Sequence, residues 1–176
     1  MKKKFIDYYM EVAELTAKLS YAKRLQVGAV IVRENQIIAT GYNGMPAGWE
    51  NNCETKEWCS DGGWLSPVEI EEGWPYDGTY LDTEGNEMKG RYRLRTKPEV
   101  LHAESNAIAK VSKSTESSEG STLFCTHAPC LECAKLIYQS GIKSVFFGKQ
   151  YRDTAGVEFL KQGNVDVHQY NSSTQD

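Results

Sequence analysis

The chain has 176 residues, of which 40% are hydrophobic and 25% charged, as in an ordinary soluble globular domain with a substantial core. Its formal net charge of −4 disfavours non-specific nucleic-acid binding, because such binding depends on excess positive charge. Acidic residues interrupt the basic start before any signal-peptide pattern, and no later stretch has the length of a membrane span. We therefore expect one domain over 1–176 in the cytoplasm, with no nucleic-acid or membrane partner.

Five cysteines form an odd set without a secretory signal, which argues against a disulfide framework. Such thiols serve as metal ligands or pack as small apolar groups. The sequence offers only three histidines that could join them, which are His102, His127 and His168.

The first part of the chain predicts a helix and a hairpin. Apolar residues recur at helical spacing over 3–20. The β-branched runs VGAVIVR, from Val27, and IIATGYNG, from Ile37, flank a polar turn at Glu34 and Asn35, which predicts an antiparallel strand pair.

In the segment from about 49 to 98, apolar residues recur neither at helical spacing nor in strand-like runs. Glycine, proline and acidic residues crowd together there, and all four tryptophans of the chain lie within it. An irregular segment of this length is uncommon inside a compact domain, so we interpret it as a functional or intersubunit insertion. Its tryptophans argue against plain disorder.

The second half alternates strands and helices. The runs at 121–126 and 143–148 predict buried strands, each followed by a helical pattern, and VDVHQY predicts a last strand. Gly141 and Gly163 are expected helix C-caps. This alternation predicts a three-layer α/β/α fold, with a mixed sheet of about five strands flanked by helices.

Two cysteines lie three positions apart in PCLEC, at Cys130 and Cys133. Such a pair alone fits a redox site or half of a structural zinc clamp. Upstream, LHAES adds His102 and, two residues later, Glu104. One imidazole and two thiolates fill three corners of a zinc tetrahedron and leave the fourth for water, as in a catalytic site. Glu104 would then act as a general acid and base beside that water.

The pattern HxE followed by PCxxC is the signature of zinc nucleobase deaminases. Beyond it, the chain resembles the dCMP deaminases of the cytidine deaminase superfamily, with an insertion similar in layout to that of T-even phage enzymes. The stretches that carry the resemblance are QVGAVIV, GYNGMPAG, HAESNAI and CLECAKLIYQSGIK. It runs from about Ala22 to Asp153.

The resemblance implies hydrolysis of dCMP to dUMP with release of ammonia, which supplies thymidylate synthesis. It implies that zinc binds His102, Cys130 and Cys133 and that Glu104 shuttles protons. The remaining roles concern the substrate. They are the Ala103 N–H for the pyrimidine carbonyl, the Ala128 carbonyl for the amine, Asn43 for the deoxyribose, and Arg24 and Tyr151 for the phosphate, with Lys23 and Arg152 as substitutes.

Family members of this type are commonly hexamers, activated by dCTP and inhibited by dTTP with Mg²⁺. The resemblance places that regulatory site near Gly44, Met45 and Gly48, where glycines would serve a turn equally well. T-even enzymes also carry a second, structural zinc. We expect none here, because the insertion offers Cys53 and Cys59 but no histidine.

Two other residues near the motif have simpler interpretations. Cys125 lies in an apolar strand and is expected in the core. His127 is expected at the rim of the pocket. The alternatives to a dCMP deaminase are a tRNA or other nucleobase or nucleoside deaminase with the same zinc chemistry, and a zinc-stabilised nucleotide-binding module without activity.

Overall fold

The computed structural model describes residues 1–59, 76–150 and 153–171. Within these ranges the chain forms four helices and eight strands. In chain order they are α1 (Lys3–Ala17), β1 (Gly28–Arg33), β2 (Gln36–Tyr42), β3 (Glu54–Cys59), β4 (Tyr76–Leu81), β5 (Glu87–Thr96), α2 (Ala103–Val111), β6 (Thr122–His127), α3 (Leu131–Gln139), β7 (Ser144–Lys149), α4 (Ala155–Gln162) and β8 (Asp166–Gln169). None of these four helices is long and apolar enough to cross a membrane.

The main sheet has five strands in the order β2-β1-β6-β7-β8. Strand β1 pairs antiparallel with β2 and β6, whereas β6, β7 and β8 run parallel. The predicted mixed sheet of about five strands is therefore confirmed. Because α3 connects β6 to β7 and α4 connects β7 to β8, the parallel half consists of two strand–helix–strand units.

Helices cover both faces of this sheet. Ala29 and Ile31 of β1 face one side and pack in a cluster with buried residues of α2, α3 and α4. Val30 and Val32 face the other side and pack against Tyr9 and other residues of α1. This alternation of apolar residues along one buried strand produces the predicted three layers.

The hairpin between β1 and β2 turns at Glu34 and Asn35, as predicted. Both residues have positive φ, 52° and 62°, as a two-residue type I′ turn requires. The Tyr9 hydroxyl donates a hydrogen bond of 2.7 Å to the Asn35 carbonyl, which fastens the turn to α1.

Both predicted glycines lie at the C-terminal end of a helix, and only one of them is left-handed. Gly141 follows α3 with φ 76°, in the left-handed conformation that glycine adopts readily. Gly163 follows α4 but has φ −78°, and the left-handed residue there is Asn164, with φ 60°. Asparagine tolerates this conformation, so the left-handed position at this end is the residue after the predicted C-cap Gly163.

The description of the 49–98 segment as irregular is wrong for its described part. Strands β3, β5 and β4 form a separate antiparallel sheet in that order, which we call the insertion sheet. Strands β4 and β5 are largely exposed and therefore lack a buried apolar face to reveal them in the sequence. Gly78 and Gly90 pair across the strands, and the rings of Trp58, Tyr80 and Tyr92 pack over them. Trp64 and Trp74 lie outside the described residues.

Candidate active site

His102, Cys130 and Cys133 come together at the amino ends of two helices. His102 is the N-cap residue of α2, Cys130 is the N-cap of α3, and Cys133 lies in the first turn of α3. The Nδ1 atom of His102 lies 3.5 Å from Sγ of Cys130 and 3.4 Å from Sγ of Cys133. The structure thus brings together all three residues predicted as metal ligands.

The three donor atoms fit a zinc ion. In a tetrahedral site with Zn–N and Zn–S bonds of ordinary length, a nitrogen and a sulfur ligand are separated by about 3.6 Å. The two observed separations are close to that value. One imidazole and two thiols are also the borderline and soft donors that zinc prefers. Among the described residues no other group of three or more His, Cys, Asp or Glu side chains converges in this way.

The protonation of the cluster is compatible with metal binding. The pKa of Cys130 is lowered to about 3, because Cys133 and then His102 hydrogen-bond to its sulfur. The pKa of Cys133 is raised, since it donates that bond and is buried. A bound cation replaces such shared protons and converts both thiols to thiolates, and the helix amino ends stabilise the negative charge.

The position of His102 is fixed by contacts on either side of it. Leu101 exchanges two backbone hydrogen bonds with Gly44, at 3.1 and 2.9 Å. One turn into α2, the Asn106 side chain donates a bond of 2.9 Å to the Tyr42 carbonyl at the end of β2. The ligand is therefore held by the GYNG segment, which is distant in sequence.

Glu104 lies in the first turn of α2 and is only 4% exposed. Burial raises the pKa of its carboxyl group, because the charged form loses solvation. It lines the same cavity as His102 and Cys130. A buried carboxyl group with a raised pKa beside a candidate metal site suits a group that both accepts and donates protons near neutral pH.

The cavity has a volume of about 300 Å³, which is at the lower end of the range for small-molecule sites. Its lining contains His102 and Cys130 of the metal cluster together with Glu104, and it also contains two cationic side chains, Arg24 and Lys149. The other lining residues are Ala22, Leu25, Val27, Asn43, Glu54, Thr96, Val100, Ala103, His127, Ala128 and Gln150. Such a cavity can hold a compact ligand with one anionic end.

Four of the five predicted substrate-binding residues line this cavity, namely Arg24, Asn43, Ala103 and Ala128. Tyr151, the fifth, lies outside the described residues, as does Arg152. The Asn43 amide accepts a bond of 2.8 Å from the Val27 N–H and donates one of 2.8 Å to the Leu25 carbonyl. Its second N–H and second oxygen lone pair are the part of the amide left for a ligand.

None of the predicted regulatory residues lines the cavity, and two of them, Gly44 and Met45, contact residues next to it or in its wall. Gly44 forms the bridge to Leu101 described above, and Met45 packs on Cys53 and its neighbours. Gly48 has φ 86°, so it fills a turn position that favours glycine.

Cys125 and His127 lie where the sequence prediction places them, in the core and in the cavity wall. Cys125 is fully buried in the core, where burial raises the pKa of its thiol. Cys53 is fully buried in the small cluster with Ala22 and Val100. His127 lines the cavity and is half-buried, with Nδ1 3.0 Å from the Thr126 hydroxyl. The side chain of Cys59 lies outside the described part.

Sequence reasoning missed several residues of the cavity wall. Lys149 is the last residue of β7 and pairs with His127 in the sheet register. Its position at the carboxyl end of a parallel strand, where ligands bind in α/β sheets, could have indicated a place in the site. Glu54 and Thr96 come from the insertion sheet. Their presence in the wall had no sequence signal, because the strands that carry them were not predicted.

The chain matches a family model and several known proteins that are cytidine or deoxycytidylate deaminases. Residues 3–149 match the family described as the cytidine and deoxycytidylate deaminase zinc-binding region. The deoxycytidylate deaminase of enterobacteria phage T4 is 33% identical over 150 residues, covering 81% of this chain and 76% of that protein. The human deoxycytidylate deaminase is 37% identical over 150 residues, covering 84% of this chain and 67% of that protein.

A solved structure is also similar over nearly the whole chain. It is the dCMP deaminase from cyanophage S-TIM5 in complex with dCMP and dUMP, with a TM-score of 0.73 and 37% identity. The alignment covers 97% of this chain and 99% of that one.

Proposed function

The chain belongs to the cytidine and deoxycytidylate deaminase family and is a deaminase, and from that premise we propose that it hydrolyses dCMP to dUMP and ammonia. The observation that carries the proposal is a single cavity whose wall contains Glu104, the cations Arg24 and Lys149, and two members of the metal cluster, His102 and Cys130, with the third member, Cys133, buried beside them. This activity would supply dUMP for thymidylate synthesis.

Zinc, when bound by His102, Cys130 and Cys133, would supply Lewis-acid activation of water. The chain itself contributes the proton transfers. The Glu104 carboxylate takes a proton from the attacking water and delivers it to N3 of the pyrimidine, then passes a second proton to the leaving amine. The new C–O bond forms at C4 and the C4–N4 bond breaks, so dCMP and one water give dUMP and ammonia.

The polar groups of the cavity wall suit the rest of dCMP. The free donor and acceptor of the Asn43 amide match a sugar hydroxyl. The Ala103 N–H would hold the pyrimidine carbonyl and the Ala128 carbonyl would face the amine. Arg24 would bind the 5′-phosphate together with Lys149, and we retain Tyr151 as a further candidate.

The test combines one variant with a substrate panel. Glu104→Gln keeps the size of the side chain but cannot carry the proton, so we expect retained zinc and fold with turnover reduced by orders of magnitude. Assays of dCMP, dCTP, CMP and deoxycytidine should show a clear preference for dCMP. Equal activity on deoxycytidine would contradict phosphate recognition, and turnover of tRNA but not of free dCMP would indicate a polynucleotide deaminase.

We also propose regulation by dCTP as activator and dTTP as inhibitor, each with Mg²⁺, near Gly44, Met45 and Gly48. The support is the paired hydrogen bonds between Gly44 and Leu101, because they connect this segment to the residue preceding His102. The plot of initial rate against dCMP concentration should become more sigmoidal with dTTP and Mg²⁺ and more hyperbolic with dCTP. Rates unchanged by either nucleotide would contradict this part of the proposal.

A homohexamer in the cytoplasm completes the proposal. Its support is a set of exposed apolar side chains on α1 and just beyond its end, since such patches commonly mark protein contacts. Tyr8 and Leu15 of α1 are 52% and 60% exposed, and Leu19, two residues after the helix, is 59% exposed. Light scattering of the purified protein measures the subunit number directly. A monomer at micromolar concentration would rule the assembly out.

A further inference from the structure

The insertion sheet touches the candidate substrate cavity at one end. Glu54, the first residue of β3, and Thr96, the last residue of β5, lie opposite each other in the strand register. Both line the cavity, and both make hydrogen bonds to Arg24. One cross-strand pair of the insertion therefore contacts the cation that we assign to the phosphate.

Glu54 holds the backbone around Arg24. Its Oε1 accepts the N–H of Lys23 at 2.9 Å and the N–H of Arg24 at 3.1 Å. The residue is only 6% exposed, so these two bonds form away from most solvent. A buried carboxylate that accepts two backbone N–H groups fixes that stretch of chain more firmly than neutral hydrogen bonds do.

Thr96 contacts the other end of the same residue. Its hydroxyl oxygen accepts a hydrogen bond of 3.4 Å from Nη1 of Arg24. An arginine side chain has many rotamers, and restricting them before the ligand binds reduces the entropy lost on binding. The pair thus restrains Arg24 at its backbone and at its guanidinium group.

The pair is itself attached to the core. The ladder of β3 and β5 continues beyond Thr96 through a hydrogen bond of 2.9 Å from the Lys97 N–H to the Cys53 carbonyl. Cys53 is fully buried against Ala22 and Val100, which also line the cavity. The end of the insertion sheet that carries Glu54 and Thr96 is therefore connected directly to the cavity wall.

We propose that Glu54 and Thr96 are positioning residues that act through Arg24, so that the insertion sheet orients the cation binding the substrate phosphate. The inference rests on the proposed function, in which Arg24 binds the 5′-phosphate of dCMP. It assigns to the insertion a role in substrate affinity rather than in the chemical step.

The experiment compares dCMP with deoxycytidine, which lacks the phosphate. Glu54→Ala is expected to raise KM for dCMP about tenfold, with kcat and the KM for deoxycytidine changed less than about twofold. Glu54→Gln keeps an oxygen that accepts both N–H groups and should remain close to the parent enzyme. Thr96→Val should raise KM for dCMP by a smaller factor, about two- to threefold, because its contact is long and partly exposed.

Matched controls come from the far end of the same sheet. Glu87 and Thr79 are exposed residues of β5 and β4 that do not line the cavity. Glu87→Ala and Thr79→Val should leave KM for both substrates unchanged. If they raise KM for dCMP as strongly as the Glu54 and Thr96 variants do, the effect is not transmitted at the Arg24 contact and the proposal is wrong.

A double-mutant cycle with Arg24→Ala decides whether the action passes through Arg24. In that background Glu54→Ala should change KM for dCMP less than about twofold, because the group it positions is gone. A full additive effect would mean that Glu54 acts by another route and would overturn the proposal. Calorimetric binding of dUMP and of deoxyuridine gives the same comparison without turnover.

The dCMP deaminase activity and the positioning role of Glu54 can be contradicted by different results. A parent enzyme that does not turn over dCMP contradicts the proposed function and removes the phosphate role with it. A parent enzyme that prefers dCMP strongly, combined with a Glu54→Ala variant that weakens dCMP and deoxycytidine equally, supports the function and overturns the positioning role.

Discussion

Gly156, the second residue of α4, lies directly against the backbone carbonyl of Pro129, the residue before the metal ligand Cys130. A Cβ atom at position 156 would overlap that oxygen and the backbone of Cys130. Helix α4 can therefore pack this closely on the ligand-bearing loop only with glycine at the contact. The contact is between backbones, so no side-chain rotation can relieve an added methyl group.

Gly156→Ala is expected to displace the Pro129 and Cys130 loop and so weaken zinc binding by about tenfold, with a loss of stability of about 1–3 kcal/mol. Chelator competition measures the first and urea denaturation the second. Gly163→Ala is the control, because its added methyl group meets the ring of Tyr138, which is 48% exposed and able to move. Wild-type zinc affinity in Gly156→Ala would show that the loop tolerates the shift.

Removing zinc should abolish activity and lower the thermal midpoint, and one equivalent of zinc should restore both, since a ligand that binds only the folded state stabilises it. Cys133→Ser should purify with little zinc, whereas Cys53→Ala should retain a full equivalent, because Cys53 lies in a separate apolar cluster. Metal analysis of both variants is the measurement. A parent protein with two zinc equivalents that loses one in Cys53→Ala would contradict our expectation of a single site.

Most of the elements that were predicted from sequence contain buried apolar residues, whereas the short edge strand β8 was predicted from its composition although it is mostly exposed. Strands β1 and β6 are largely buried, and β7 is buried at alternate residues. All three are rich in β-branched or aromatic residues, and the turn at Glu34 and Asn35 joins two such runs. Strands β4 and β5 are mostly exposed, and Gly78 and Gly90 interrupt them. In these strands aromatic rings pack over glycines of a neighbouring strand. The spacing of apolar residues within one strand does not reveal such cross-strand packing.

The same distinction applies to the site. His102, Glu104, Cys130 and Cys133 have fixed local spacing, imposed by the amino ends of two helices, so their pattern is readable. The contact of Glu54 with Arg24 joins residues 30 positions apart through an unpredicted strand. Only the tertiary structure shows such a contact.

The β1–β2 turn offers a test of local conformation without contact to the site. Glu34 and Asn35 both occupy positive φ, where glutamate is strained and where asparagine followed by glycine is preferred. The double change Glu34→Asn and Asn35→Gly should stabilise the protein by about 0.5–1 kcal/mol in urea denaturation, with unchanged kcat/KM for dCMP. The Tyr9 bond to the position-35 carbonyl is a backbone interaction and should persist. Lower stability would mean that the turn is not of this type in solution.

His127 should be a neutral ring with its proton on Nε2. The Thr126 hydroxyl oxygen accepts the Gly28 N–H at 3.2 Å and lies 3.0 Å from Nδ1 of His127, so its own proton is available to donate to that nitrogen. Burial lowers the pKa of His127, and the Lys149 ammonium group lowers it further. The cavity would then carry two cations at neutral pH, Arg24 and Lys149, with His127 as an uncharged donor.

Nitrogen-15 NMR of the histidine rings measures this tautomer directly, and the His127 signals are identified among those of the three histidines by their loss in His127→Gln. We expect a protonated Nε2 and an unprotonated Nδ1 at pH 7. Thr126→Val, which keeps the side-chain shape but removes the hydroxyl, should shift the population toward protonated Nδ1, whereas Thr126→Ser should not. A ring protonated at Nδ1 in the parent protein would reverse the direction of the Thr126 bond, and a doubly protonated ring would add a third positive charge to the wall that faces the substrate.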